Sequence, residues 1–455
     1  MRPVIAGRNV IVIGGGLAGL AAAVSLGEAG YDVTILEARG RLGGRASSFQ
    51  DVASGQLIDT CQHVSMGCCT NLAYFFRTIG VDHLIERQRL LRFMTPDGRV
   101  SIFRSEPWPA PFHLSASFLR AHFLTAVEKM RIAWGLAALL RAPAEDEDPP
   151  FSDWLAAHHQ TPRTIGRFWG LVLTSALNEE PARVGLRYAR KVFVDGFMRD
   201  RRGFDVEVPT VPLATLYGKE LQGYLDMREI RLRLQEGGRL IRVEGKRASG
   251  VELRSGEILP ADVVVSAVPF DRLLALLPDH VIESYPCFAN LRRLETSPIT
   301  SVHVWYDRPV MSVPQLVLID CVGQWVFNRG QTAPGEHYLQ VVVSAARQFR
   351  GWGNDEIQRR ITSELSQLLL EAGKAKIVRA RVVTEHDATF SAVPGVDRWR
   401  PTQTTPIENL YLAGDWTQTG WPATMEGAVL SGYLAAEAIC RRRGMNVAFV
   451  QPALE

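Results

Sequence analysis

The chain has 455 residues, is 46% hydrophobic and 22% charged, and sets 51 Lys and Arg against 48 Asp and Glu for a formal net charge of +3. That length exceeds one ordinary core and predicts about two to three domain-sized units around a sizeable interior. Balanced charge without long like-charge runs argues against nucleic acid as a partner, and the six scattered cysteines lack a Cys-x-x-Cys pair or a histidine at ligand spacing, so no metal is expected.

The first thirty residues could pass for an apolar leader, but Glu28 interrupts the run and the glycines sit where a phosphate loop needs them. The pattern predicts a buried strand over Asn9 to Gly14, a helix over Leu17 to Ala29 closed by Gly30, and a second strand over Asp32 to Glu37. Leu72 to Asp200 reads as mostly helical, with an acidic, proline-bearing linker over 142–150. Strands return at Val251 to Arg254 and Glu257 to Leu259 around a Ser255-Gly256 turn, and again at Asp262 to Val268. An antiparallel set follows at Ile299 to Tyr306, Leu316 to Cys321, Trp325 to Asn328 and His337 to Ser344, and a last strand, Asn409 to Ala413, precedes a helix over Thr424 to Cys440. No stretch reaches the roughly 18 apolar residues of a membrane span.

Gly14-x-Gly16-x-x-Gly19 falls between the first strand and helix. Gly14 permits a tight turn, Gly16 lets the backbone approach a pyrophosphate, and Gly19 allows close helix packing, while the helix N-terminus at Leu17 and Ala18 offers N–H groups to the phosphates. Glu37, about 18 residues after Gly19, stands where an acid binds ribose hydroxyls and would repel a 2′-phosphate, which disfavours NADP. The stretch Glu37-Ala38-Arg39-Gly40-Arg41-Leu42-Gly43-Gly44-Arg45 could be no more than a solvated basic loop. It resembles, however, the flavin-containing amine oxidase and phytoene desaturase superfamily, and the resemblance implies FAD, with Glu37, Ala38, Arg39, Gly43, Gly44 and Arg45 along its adenosine and phosphates.

Asn409 to Trp416, followed by Gly420-Trp421-Pro422-Ala423-Thr424-Met425-Glu426-Gly427, resembles the second flavin motif of the same superfamily. Gly414 and Asp415 would meet the ribityl and pyrophosphate region, and Trp421, Thr424, Met425 and Glu426 would bring a helix N-terminus toward the flavin ring. The fold class implied is α/β, a Rossmann-type FAD-binding domain (1–71, 205–269 and 405–445) interleaved with an α+β substrate domain (72–204 and 270–404). No cysteine or histidine in the closing motif is placed for a covalent bond, so non-covalent FAD is expected. Gly351-x-Gly353 lacks a third glycine and a preceding strand, which disfavours direct reduction by a nicotinamide and leaves the electron donor unidentified.

Asp59-Thr60-Cys61-Gln62-His63-Val64-Ser65-Met66-Gly67-Cys68 resembles the hydroxysqualene dehydroxylase family, with Thr60 and Cys61 departing from its usual Asp-Asn-Gly-Gln-His. The resemblance implies that an allylic hydroxyl of a squalene precursor is replaced by hydride from the flavin, giving squalene and water. His63 is then the candidate proton donor, Asp59 its orienter and Gln62 a flavin or hydroxyl contact. A structural, hydrogen-bonded His63 is equally compatible, and Cys61, Cys68 and Cys69 read as small buried thiols. Asn178, Trp169 and Trp421 are either pocket liners or core. A carotenoid-type desaturase, a flavin amine oxidase and a non-catalytic flavin scaffold remain as alternatives.

An isoprenoid substrate would come from a membrane, so a cytoplasmic protein peripheral on the inner face is expected. Trp108, Phe112, Leu114, Phe118, Phe123, Val127, Met130 and Trp134, interleaved with Arg120, Lys129 and Arg131, are candidates for that surface, or else ordinary core helices.

Overall fold

The structure, a computed structural model, describes residues 8–52, 54–142 and 148–454. Most of the expected 142–150 linker and the first seven residues lie outside that range.

Five parallel strands form the central sheet, in the order Arg231–Leu234, Asp32–Glu37, Asn9–Ile13, Val263–Ser266 and Leu410–Leu412. Their near-continuous apolar runs are explained by burial on both faces. Val10, Val12, Val33, Ile35 and Val265 enter one core with the helices Leu17–Glu28 and Met425–Arg442, while Ile11, Ile13, Leu36, Val264, Leu410 and Leu412 enter a second. Strand order reverses between Asn9–Ile13 and Val263–Ser266, which opens a crevice beyond their carboxyl ends. Gly14, Ala267 and Gly414 stand at that edge, immediately after or one residue beyond their strands.

Close approach of the two long helices draws the ends of the chain together. A Cβ on Gly432 would lie 2.3 Å from the Ala18 carbonyl oxygen, and one on Gly19 would lie 2.0 Å from that of Gly14. Only glycine fits at either place.

The second unit is a seven-stranded sheet ordered Ile377–Phe390, Thr296–Tyr306, Glu336–Val343, Trp325–Ala333, Gln315–Leu318, Leu90–Met94 and Val100–Arg104. Alternation divides its faces. Val302, Val304, Leu339 and Val341 pack on Ile357, Ile361 and Leu365 of the helix Asn354–Leu368. On the other face, Trp305 and Tyr338 pack on Ile58 and Phe49 of the nucleotide-binding unit. The two units are interleaved in sequence, as expected from the motifs.

Three differences from the expected elements have physical causes. Residues 72–200 are not only helical, since Ile85–Gln88, Leu90–Met94 and Val100–Arg104 are strands; the hairpin around Gly98 (φ +78°) was signalled by Thr95-Pro96-Asp97-Gly98. Ile377–Phe390 was missed because, as an edge strand, it carries Arg379, Arg381, Glu385 and Asp387 in place of clean apolar alternation. The helix Thr70–Thr78 buries Leu72, Phe75 and Phe76 in the nucleotide-unit core, and so ties the segment after His63 to that unit. Among the described residues, no helix is long and apolar enough to cross a membrane.

Gly432→Ala should push the helices Leu17–Glu28 and Met425–Arg442 apart and cost about 1–3 kcal/mol in denaturant unfolding. An unchanged midpoint would show that the helices are free to separate.

Candidate functional site

Gly14 takes φ +110° and donates its N–H to the Leu36 carbonyl, 2.8 Å away, turning the chain into the first helix. Gly16 is that helix's N-cap, and no side chain satisfies the first-turn N–H groups, although Leu17, Ala18 and Gly19 are all buried. A buried helix N-terminus without a cap is a ready anion site. Gly43 and Gly44, both at positive φ, close over it: Gly43 N–H donates to Gly15 O at 2.9 Å, and a Cβ on Gly44 would meet Gly16 Cα at 3.1 Å. The Glu37 carboxylate is buried at the same edge and accepts Gly15 N–H and Arg39 N–H, each at 2.8 Å. Each oxygen keeps a lone pair for a ribose hydroxyl. Ala38, whose Cβ lies against Gly237, adds only backbone to this edge. These features fit an adenine dinucleotide, with phosphates at the helix end and ribose at Glu37.

The two motifs meet at an ion pair. Arg45 Nη2 lies 2.5 Å from Asp415 Oδ1, while Arg45 Nη1 donates to Ala388 O of the substrate sheet at 2.8 Å. Arg45, Phe270, Thr296, Phe390, Asp415 and Trp416 are among the residues around a cavity of about 230 Å³ at this junction. Gly414 (φ +147°) is pinned by Ser431 Oγ, which accepts its N–H at 2.7 Å.

One residue at this junction escaped the motif reading. Arg400, fully buried, pairs with Asp397 at 2.8 Å, donates to the Asp415, Trp416 and Trp421 carbonyls at 3.0–3.2 Å, and also bonds Thr417 O and Tyr188 Oη. A single guanidinium therefore gathers the loop between Gly414 and the last helix. Its five fixed donors suit that task and a lysine's ammonium does not.

The closing helix Met425–Arg442 is capped by Thr424, whose Oγ1 accepts Gly427 N–H at 3.1 Å. Trp421, Thr424 and Met425 are half-buried, and Lys191 Nζ sits 4.4 Å from the Trp421 ring centre. Glu426 does not present its carboxylate to a cofactor. It accepts Asn71 N–H, Asn71 Nδ2 and Leu72 N–H at 2.7–3.1 Å and thereby caps the helix Thr70–Thr78. Asn178 and Trp169 are likewise structural: Asn178 bridges Ser297 O, Thr389 Oγ1 and Ala345 N–H, and the buried Trp169 indole donates to Gln160.

The segment Asp59 to His63 differs most from expectation. Asp59 does not orient His63; it accepts Ser48 Oγ at 2.6 Å and Leu213 N–H at 2.9 Å and pairs with Arg329 at 3.4 Å. The buried Gln62 spends its amide on Arg329 Nη1 (2.5 Å) and His63 O (3.1 Å). Arg329, from the substrate-sheet strand Trp325–Ala333, is thus the clamp that holds the segment. His63 Nδ1 stands 3.0 Å from Cys61 O. A carbonyl can only accept, so Nδ1 carries the proton, and burial holds the imidazole below its ordinary pKa. Near neutral pH Nε2 is therefore a free acceptor, the opposite of the proton donor that the sequence suggested. Burial also pushes the Cys61 thiol up to about 12, and a hydrogen bond with Cys68 together with burial holds the Cys69 thiol well above its usual value, so neither is poised as a thiolate.

The family described as "Flavin containing amine oxidoreductase" matches residues 17–440. The chain is 28% identical to 15-cis-phytoene desaturase of Glycine max, covering 95% of this chain and 79% of that one, and 26% identical to 15-cis-phytoene desaturase of Synechococcus elongatus, covering 96% of each. An oxidoreductase from Methanosarcina mazei superposes with a TM-score of 0.72 over 95% of this chain and 99% of its own, at 17% identity.

Arg400→Lys should release the 415–421 loop and lower retained flavin at least tenfold, read as the ratio of 450 nm to protein absorbance after gel filtration. Full retention would remove Arg400 from any role at the site.

Proposed function

The chain belongs to the flavin-containing amine oxidoreductase family, and we propose that it moves hydride between non-covalently held FAD and an allylic carbon of a linear isoprenoid. One observation carries this reading: an aromatic cluster ends at the residue that follows His63. Phe93, Phe103, Phe123, Phe168, Phe197, Phe204 and Trp325 form one cluster that reaches Val64, the neighbour of His63. Such a cluster excludes water and suits a hydrocarbon. FAD supplies a two-electron acceptor or donor at its isoalloxazine ring. Gly16 to Gly19, Glu37, Gly43 to Arg45 and Gly414 to Asp415 are the residues that would hold it.

His63 favours the desaturating direction. Removing two hydrogens from a polyene sends one away as hydride and one as a proton, and a neutral imidazole with a free Nε2 is suited to accept the proton. The similarity to phytoene desaturases supports the same direction.

A second reading, dehydroxylation of a hydroxysqualene, is favoured by the polar face of the substrate sheet. Gln340 Nε2 donates to Ser301 Oγ at 2.8 Å, yet Gln340 Oε1 and His303 Nε2, both buried, have no protein partner. A hydroxyl-bearing substrate would relieve such groups, each costing about 1–3 kcal/mol unpaired. In this reading His63 must first be protonated.

The decisive assay supplies phytoene with oxidised protein and hydroxysqualene with reduced protein, both anaerobically, and analyses the lipids. Desaturated polyene from the first supports the main reading, squalene from the second supports the other, and neither product overturns both. The pH dependence of the productive single turnover separates the roles of His63. A base loses rate as pH falls through its lowered pKa, below about 6.5, whereas an acid gains it. His63→Phe should cost about 10²–10⁴-fold in either case, and an unchanged rate removes His63 from the chemistry.

A further inference from the structure

We propose that the loop and helices of residues 105–141 form a docking surface for an anionic lipid bilayer, from which the substrate enters along the aromatic cluster; this rests on the isoprenoid reading above. The expected amphipathic set divides into two by direction. Phe123 is 4% exposed, and Leu114 and Phe118 turn inward onto the cluster, with Phe118 edge-on to Phe168 at 5.8 Å between ring centres. The others turn outward: Trp108 is 50% exposed, Phe112 62%, Leu119 67%, Val127 55%, Met130 64% and Trp134 66%.

These six large apolar side chains come from three consecutive elements. Trp108 lies in the loop and Phe112 in the helical turn Phe112–Leu114 that lead into the short helix Ser115–Arg120, Leu119 lies on that helix, and Val127, Met130 and Trp134 follow i, i+3, i+7 along one stripe of the helix Ala126–Arg141. Lys129 Nζ donates to Leu119 O at 2.7 Å and binds the two helices side by side. The stripe does not face the core, because the opposite side of the helix, Ile132, Gly135 and Leu139, is the buried one.

Charge selects the partner. Residues 105–141 contain Arg120, Lys129, Arg131 and Arg141 against only Glu106 and Glu128, a local excess of two positive charges ahead of the acidic run Glu145 to Asp148. Glu128 is further neutralised, paired to Arg163 at 2.8 Å and used in the capping box with Thr125. Exposed Trp and Phe among basic side chains suit the headgroup region of an acidic leaflet. Continuity supplies the second support, since Phe118 and Leu114, on the inner side of this surface, belong to the same cluster as Val64 beside His63. A hydrocarbon leaving the bilayer would meet apolar side chains throughout.

Flotation of the FAD-loaded full chain with vesicles of phosphatidylcholine alone, and of phosphatidylcholine with phosphatidylglycerol, tests this without any substrate. Binding is expected to the mixed vesicles and to be much weaker to the neutral ones. Trp108 and Trp134 fluorescence should be quenched by brominated acyl chains. Arg120→Glu and Arg141→Glu should each lower partitioning about fivefold at low salt, and Leu119→Asp with Met130→Asp should abolish it. These positions are exposed, so flavin absorbance and the unfolding midpoint should stay as in the parent. No binding to either vesicle, or equal binding by the variants, overturns the proposal. So does self-association that the Leu119→Asp, Met130→Asp variant abolishes without any vesicle binding, which would assign the surface to a second copy. Vesicle binding with no turnover of either isoprenoid would sink the functional reading and leave the surface standing.

Discussion

Contact between the helix Leu17–Glu28 and the helix Met425–Arg442 is the constraint on which the site depends. Gly432 permits it, because a methyl group there would strike the Ala18 carbonyl. With that contact made, the glycine turn at Gly14–Gly16 and the loop after Leu410–Leu412 project from neighbouring regions of one sheet edge, and Arg45 can reach Asp415 across 370 residues of chain. A partly exposed ion pair contributes little stability, since Arg45 keeps about a third of its side-chain surface. Its effect is positional: it joins the Gly43–Arg45 loop to the closing motif at the place where a cofactor's phosphates and ribityl chain would run.

Arg400 is the complementary device. A buried guanidinium carries a desolvation penalty that only full pairing offsets, and here an aspartate, a phenol and four carbonyls supply it. The 415–421 backbone could be gathered by other means, but a loop would then have to satisfy its own carbonyls away from water. Arg329 repeats the principle on the substrate side, joining Asp59 and Gln62 to the seven-stranded sheet. The segment bearing His63 is thereby fixed to both units, to one through the Glu426-capped helix Thr70–Thr78 and to the other through Arg329.

The parallel sheet and both glycine motifs were legible in the sequence because each is local: an apolar run, a turn and a helix, with residue types dictated by backbone approach. Arg329 and the role of Glu426 were not legible, because a lone arginine or glutamate gives no local sign of a partner more than two hundred residues away, and Arg400 was not, because backbone carbonyls fifteen to twenty-one residues on carry no residue type to mark them. The carboxylate of Asp59 was assigned to His63 by sequence proximity alone, whereas the fold gives it to Leu213 and Arg329. His63 was singled out as a candidate, but its protonation state depends on a carbonyl two residues earlier and on burial, neither of which a motif records. The amphipathic segment 108–134 was recognised as a set, and only the fold could divide it into side chains that face the aromatic cluster and side chains that face outward.

For the proposed isoprenoid substrate, that division bears on how a water-insoluble molecule is selected. At about 0.8 kcal/mol per CH₂, burying a chain of squalene size from water would exceed the practical ceiling of non-covalent affinity. Drawn from a bilayer, the same chain gains almost nothing on entering apolar surroundings in the protein, since both environments are equally apolar. Net preference must then come from shape and from polar groups, for which the buried Ser301, Gln340 and His303 and the half-buried His63 are the candidates. A membrane-fed hydrocarbon enzyme therefore needs its scarce polar side chains deep inside, and its largest exposed apolar ones at the entrance.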